Sequence, residues 1–213
     1  MPRVVLARHG DAEGEASHRL IGRADVDLTA TGLAQAAALA DRVAELGITA
    51  LVTSPLRRAR HTAEQIGRAL GLDPVIEDDL TDLDTGRLTG TTLDELMRHD
   101  PAAYAAWLDA PETLDFPDGE TLAALRVRVG VAIERLLDAD PEEANLLVVT
   151  HEHVARSLLT LLLGLGPEAH FQIDVDAGSI SVFERRADQF YLTLLNETCH
   201  LQGGAPHLVP AHQ

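Results

Sequence analysis

Apolar positions along the chain follow two patterns. Short unbroken runs at Val4–Ala7, Ile48–Val52 and Leu146–Thr150 have the length and branching of buried strands. Between them, apolar residues recur three and four apart, the spacing of one helical face. Leu33, Ala36, Ala37, Ala40, Val43 and Ala44 form such a stripe, with Thr29 as its N-cap and Gly47 ending it. Ser54-Pro55 reads as a cap and first-turn proline for a helix that runs to about Leu70, where Gly71 stops it. Asp118 is placed to cap a helix over about 119–138, with Leu122, Leu125, Val129, Ile133, Leu136 and Leu137 on its buried face. A further helix follows His151 to about Leu163. Pro74–Glu77 predicts an edge strand, and Ser179–Glu184 with Phe190–Leu195 predicts a hairpin across Arg186–Gln189. Over 78–117 the periodicity is broken by Gly86, Gly90, Pro101, Pro111 and Pro117, leaving short helices at about 92–99 and 101–109.

Strands alternating with helices predict an α/β fold: a three-layer αβα sandwich with a mostly parallel mixed sheet and a small helical cap. At 213 residues one domain is expected, with the cap inserted at about 84–120 and a loose Gly/Pro/His-rich tail over 203–213.

Composition narrows the function. The formal net charge is -17, which argues against nucleic acid or an anionic membrane as partner, since both demand a basic face. Any anionic ligand must therefore be captured by a local cluster of cations. All 17 basic residues are arginine, whose planar fork pairs with phosphate oxygens and stays charged. Cys199 is the single cysteine, so no internal disulfide is available. The start of the chain does not read as a signal peptide, and the longest apolar stretch, around Leu158–Leu165, is too short to span a membrane. A soluble, cytoplasmic protein is expected, and a homodimer is compatible with the sequence.

Three apolar runs end in polar clusters that lead into helices: Leu6-Ala7-Arg8-His9-Gly10, Val52-Thr53-Ser54-Pro55-Leu56-Arg57-Arg58 and Val148-Val149-Thr150-His151. In open α/β sheets, ligands bind at the carboxyl ends of the strands. Parallel neighbours would thus gather Arg8, His9, Arg58 and His151 into one anion site, most naturally for a phosphoryl group. Fixed donors stabilise charge on a transferring phosphoryl, and a neutral imidazole can hold it covalently. The leaving alkoxide needs a proton from a carboxylic acid, for which Asp82 and Asp84 both stand in reach. His151-x-His153 has metal-ligand spacing but no third ligand in pattern.

These stretches resemble the histidine phosphatase superfamily, also called phosphoglycerate mutase-like. The resemblance extends to Gly22 with Asp25–Gly32, Ser54–Ala59 with Thr62-Ala63, Pro117–Thr121, and Leu195–Thr198 with His200-Leu201, in family order along nearly the whole chain. It implies His9 as the phosphorylated nucleophile. Arg8, Arg58 and His151 would bind the phosphoryl group, and Asp82 would be the proton donor. Neither metal nor cofactor is implied. Glu15, Arg23, Glu152 and His153 become rim residues for the substrate. Glu15 stands where the family often has Asn, and its carboxylate would repel a substrate phosphate unless it points away or pairs with Arg19 or Arg23. Glu152 and His153 replace two glycines, Ile21 replaces a Gln, and Leu88 replaces an aromatic. The expected activity is hydrolysis of small phosphorylated metabolites through a phosphohistidine. A phosphoglycerate mutase and a non-catalytic phosphometabolite-binding protein are the alternatives.

Overall fold

The computed structural model describes residues 2–17, 19–109, 116–139, 145–187 and 189–201. A six-stranded sheet is formed by β1 (Arg3–Arg8), β2 (Ala50–Thr53), β3 (Val75–Ile76), β4 (Asn145–Thr150), β5 (Ile180–Arg186) and β6 (Gln189–Glu197), in the order β3-β2-β4-β1-β5-β6. The first four strands are mutually parallel; β5 runs antiparallel to β1, and β6 to β5. The helices are α1 (Ala30–Ala44), α2 (Arg57–Leu70), α3 (Leu93–His99), α4 (Pro101–Asp109), α5 (Leu122–Ala139) and α6 (Glu152–Leu162), with short 3-10 turns between.

Alternation along the central strands divides the core into two halves. Val5, Ala7, Leu51, Leu147 and Val149 face α1 and α2. Val4, Leu6, Val52, Leu146 and Val148 face α5 and α6. The architecture is therefore the αβα sandwich with a mixed sheet. Within the stretch expected as a cap, α3 and α4 bring Leu93, Tyr104 and Trp107 to the cavity that His9 lines; residues 110–115 and the expected tail at 203–213 lie outside the described residues.

Three local expectations need correction. The buried stripe of α1 is Gly32, Ala36, Leu39, Ala40 and Val43, while Leu33, Ala37 and Ala44 are exposed. The helix is rotated because Gly32 packs backbone to backbone on residues 10–11: a Cβ at Gly10 would collide with the Gly32 carbonyl, and one at Gly32 with the Asp11 carbonyl. Thr29 is the N-cap as expected, its hydroxyl accepting from Gly32 N at 3.1 Å. Ser54 and Pro55 do not begin α2; they form a bend, and Leu56 is the N-cap. Asp118 does not cap α5. It lies in a turn at φ 61°, and the Thr121 hydroxyl accepts from Ala124 N at 3.1 Å instead.

Candidate active site

Register places the chemistry. Arg8 is paired with Thr150, and Thr53 with Val149, so His9 and His151 follow at one level along the sheet edge, with Ser54 one residue behind, level with Thr150. His151 is also the N-cap of α6, whose first-turn N–H groups and dipole favour an anion there.

His9 is buried, and its protonation is fixed by a neighbour. Nδ1 lies 2.7 Å from the Gly10 carbonyl, which can only accept. Nδ1 must carry the hydrogen, so the lone pair of the neutral ring sits on Nε2. That Nε2 accepts from Arg58 Nε at 3.1 Å. Burial, then the Arg58 and Arg8 charges, hold His9 well below the ordinary histidine pKa. The ring is therefore a neutral base with its lone pair aimed at cationic donors.

Arg58 is 1% exposed and fully engaged. Besides His9 it donates to the carbonyls of Ala24 and Gly22, both at 2.8 Å, and to Asp82 Oδ2 at 3.0 Å. Its neighbour Arg57 points outward and pairs with Asp25. A one-residue step along the first turn of α2 is enough to separate them.

The two imidazoles meet edge to face, ring centroids 5.1 Å apart. His151 Nε2 is 2.7 Å from Ser54 Oγ, which itself accepts from Leu56 N at 3.3 Å. The hydroxyl can donate to Nε2 while it accepts from Leu56 N, and in that arrangement His151 carries its hydrogen on Nδ1. Nδ1 is buried without a hydrogen-bond partner and 3.8 Å from Asp82 Oδ2. Arg8 Nε is likewise buried and unpartnered. Burial, then Arg58 and His9, hold His151 well below the ordinary range, so it serves as a neutral donor.

Arg8 donates to the Val175 carbonyl at 2.7 Å and is clasped by Glu15 at 3.0 Å and Glu152 at 2.9 Å. Glu15, in a 3-10 turn (Glu15–Ser17), thus pairs with Arg8 and not with Arg19 or Arg23. Its Oε1 also stands 3.8 Å from His9 Nε2. Glu152 bridges Arg8 and Arg156; burial opposes its charge, but the two guanidinium groups outweigh burial and hold its carboxyl below the usual range.

The structure separates the two candidate acids. Asp82 lines the cavity, with Oδ1 accepting from Leu83 N at 2.8 Å and Oδ2 on Arg58. Asp84 does not line it; its carboxylate takes Gly86 N and faces Arg23 NH1 at 3.3 Å. Arg23, expected at the rim, is drawn off by Asp84 and Glu120 and touches the site only by donating to the Asp82 carbonyl at 3.3 Å. His153 lines the cavity but turns its Nδ1 to His170 Nε2 at 3.2 Å, away from His151. No cluster of three or more metal-ligating side chains occurs among the described residues.

Several contributors escaped the sequence reading. Ser54 orients His151, and the Gly22 carbonyl orients Arg58. Arg128 holds the Asp82 carbonyl at 3.0 Å while pairing with Glu120 at 2.6 Å. Tyr104, Trp107, Phe171 and Arg156 line the cavity above.

Residues 4–198 match the sequence profile of the histidine phosphatase superfamily (branch 1). The chain belongs to that superfamily. A bifunctional protein of Mycobacterium tuberculosis is 35% identical over 201 residues, covering 93% of this chain. The chain spans only about half, 55%, of that relative's length. Phosphoserine phosphatase 1 of Hydrogenobacter thermophilus is 29% identical over 201 residues, covering 94% of this chain and 95% of that protein. The crystal structure of a putative alpha-ribazole-5'-P phosphatase from Escherichia coli superposes with a TM-score of 0.84 at 29% identity, covering 92% of this chain and 96% of the other.

Proposed function

We propose that this histidine phosphatase homologue is a phosphomonoesterase of small phosphorylated metabolites, working through a phosphohistidine on His9. The observation that carries this is the His9 ring: neutral, its hydrogen fixed on Nδ1, its Nε2 lone pair set among Arg58, Arg8 and His151. The names of the phosphoserine and alpha-ribazole-5'-P relatives support the same reaction class.

In this reading a phosphate monoester displaces the carboxylates from Arg8 and takes the donors of Arg8, Arg58 and His151 Nδ1. His9 Nε2 attacks phosphorus as the ester P–O bond breaks, and the leaving oxygen takes the proton of Asp82 in its acid form. Water then attacks the phosphohistidine, its proton passing to Asp82, and the P–N bond breaks to release phosphate. Arg and His donors aimed at the equatorial oxygens stabilise both transition states. Asp82 is preferred over Asp84 because its carboxylate shares the cavity with His9. Glu15, Glu152 and His153 shape the pocket around the substrate.

A cytoplasmic location is part of the proposal, in keeping with the free, exposed Cys199; no described helix is long and apolar enough to cross a membrane. The test is phosphate release from a panel of phosphate monoesters by wild type and His9→Ala. Release by wild type and none by the variant is expected. Equal, slow release by both would leave a binding protein. Isomerisation of 3-phosphoglycerate without free phosphate would make it a mutase.

A further inference from the structure

Aromatic residues are scarce in this chain: one Trp, two Tyr and four Phe. The core is filled by Leu, Val, Ile and Ala instead. Yet the single Trp, one of the Tyr and one of the Phe line the same cavity of about 840 Å³ as His9. That volume is in the range of pockets that enclose a whole small molecule, well beyond one phosphoryl group.

Tyr104, Trp107, His153 and Phe171 make the wall of this cavity above the phosphoryl site, and all four are half-buried. Trp107 meets His153 and Phe171 at ring distances of 5.5 and 5.3 Å, near perpendicular to both. Phe116, fully buried, packs against Trp107 from behind at 5.9 Å. His170 stacks on His153 with the planes 6° apart. Burial holds both histidines below their ordinary pKa, His170 at about 2, so the four rings of the wall are uncharged at neutral pH, and the Arg156 guanidinium lies 5.2 Å over the Phe171 ring centre beside them. Rings whose edges and faces are locked by one another, and which remain open on the cavity side, form a rigid surface for another ring.

Resting on the phosphomonoesterase reading, we infer that the cavity is a leaving-group subsite for a planar, aromatic or heteroaromatic alcohol, whose ring packs against Trp107, His153 and Phe171 while its phosphate sits on His9. The floor recognises the phosphoryl group in any ester; the wall selects the alcohol.

Because Trp107 is the sole tryptophan, its emission reports on this wall directly. Wild-type protein is titrated with 2-phenylethylphosphonate and with n-butylphosphonate, two non-hydrolysable probes with the same anionic end. The phenyl compound is expected to bind at least tenfold tighter and to change Trp107 emission at saturation. Equal affinities within twofold, or phenyl binding that leaves the emission unchanged, would overturn the inference. In parallel, kcat/KM is compared for 2-phenylethyl and n-butyl phosphate, whose alkoxide leaving groups are similarly basic. A preference of at least tenfold for the phenyl ester, falling below about threefold in His153→Ala, is expected. Equal hydrolysis of both esters would sink the subsite and leave the phosphatase standing. Hydrolysis of neither would sink the phosphatase, and the phosphonate titration would still decide the subsite.

Discussion

The floor and the wall of the cavity are built on different physics. Floor residues stand at the ends of paired strands, where one hydrogen-bond register sets His9, His151 and Ser54 together. Arg58, His9 and His151 are almost completely buried; Arg58 and His9 are oriented by bonds to backbone carbonyls and to each other, and His151 by the Ser54 hydroxyl. The wall comes from short helices and turns, is half-exposed, and is held by ring edges. A buried polar network fails if any member is lost, because each unpaired partner keeps its desolvation cost. A half-exposed aromatic wall tolerates change at the cost of packing alone. Reaction class is therefore written in the floor and substrate identity in the wall.

Breaking the floor should have the largest effect. Arg58→Ala strips donors from His9, Asp82 and two buried carbonyls. It should cost about 3–5 kcal/mol of stability, as for one partner removed from a buried pair, and abolish turnover. Urea denaturation and phosphate release measure the two. Arg58→Lys should also lose most activity, since one ammonium cannot serve Nε and both fork positions.

A sharper cut within the floor is Asp82→Asn. It should lower kcat for alkyl phosphates by about 10²–10⁴-fold. For 4-nitrophenyl phosphate, whose leaving group needs little proton assistance, the loss should be much smaller. Equal losses on both would remove the proton from Asp82.

At the boundary of floor and wall, Glu15→Gln takes away a carboxylate that competes with substrate for Arg8. Inhibition by inorganic phosphate should tighten by about three- to tenfold, within the 1.4 kcal/mol that one decade represents. Unchanged inhibition would mean that Glu15 leaves Arg8 at no cost.

The smallest effect for any single residue near neutral pH is spread over both regions. His9, His151, His153 and His170 all have folded pKa values below the ordinary 6.5. Above pH 6.5 neither state binds their protons; below it only the unfolded state does. Stability should therefore fall as pH drops from about 6.5, each histidine contributing up to about 1.4 kcal/mol per pH unit. Denaturation at pH 7 and 5.5 measures this. The same depression keeps His9 neutral to lower pH than an ordinary histidine, so the acid limb of kcat/KM should lie below the ordinary histidine range.

The difference between the regions also decided what the sequence revealed. Strand runs ending in Arg8-His9, Ser54 to Arg58 and Thr150-His151 announce the floor, because period-two burial and strand ends are local signals. Phase was lost where a distant contact overrode local pattern. The Gly32–Gly10 approach rotates α1, and the bond to His151 fixes Ser54 in a bend instead of a helix cap. Residue type and spacing left Asp82 and Asp84 both open and only the family resemblance favoured Asp82; the contacts that part them, Arg58 on Asp82 and Arg23 on Asp84, are long-range. The wall was only partly legible: His153 was read as a rim residue, and Tyr104 and Trp107 stand three apart on the helix expected at 101–109, but nothing local joins them to His153 or to Phe171.

The most direct test of the account is to mix enzyme with a substrate ester, quench in alkali within milliseconds, and map the phosphorylated peptide. An alkali-stable, acid-labile phosphoryl group on the peptide containing His9, absent from His9→Ala, is the predicted result. Turnover without any phosphoryl group on that peptide, or with the label on another residue, would contradict it.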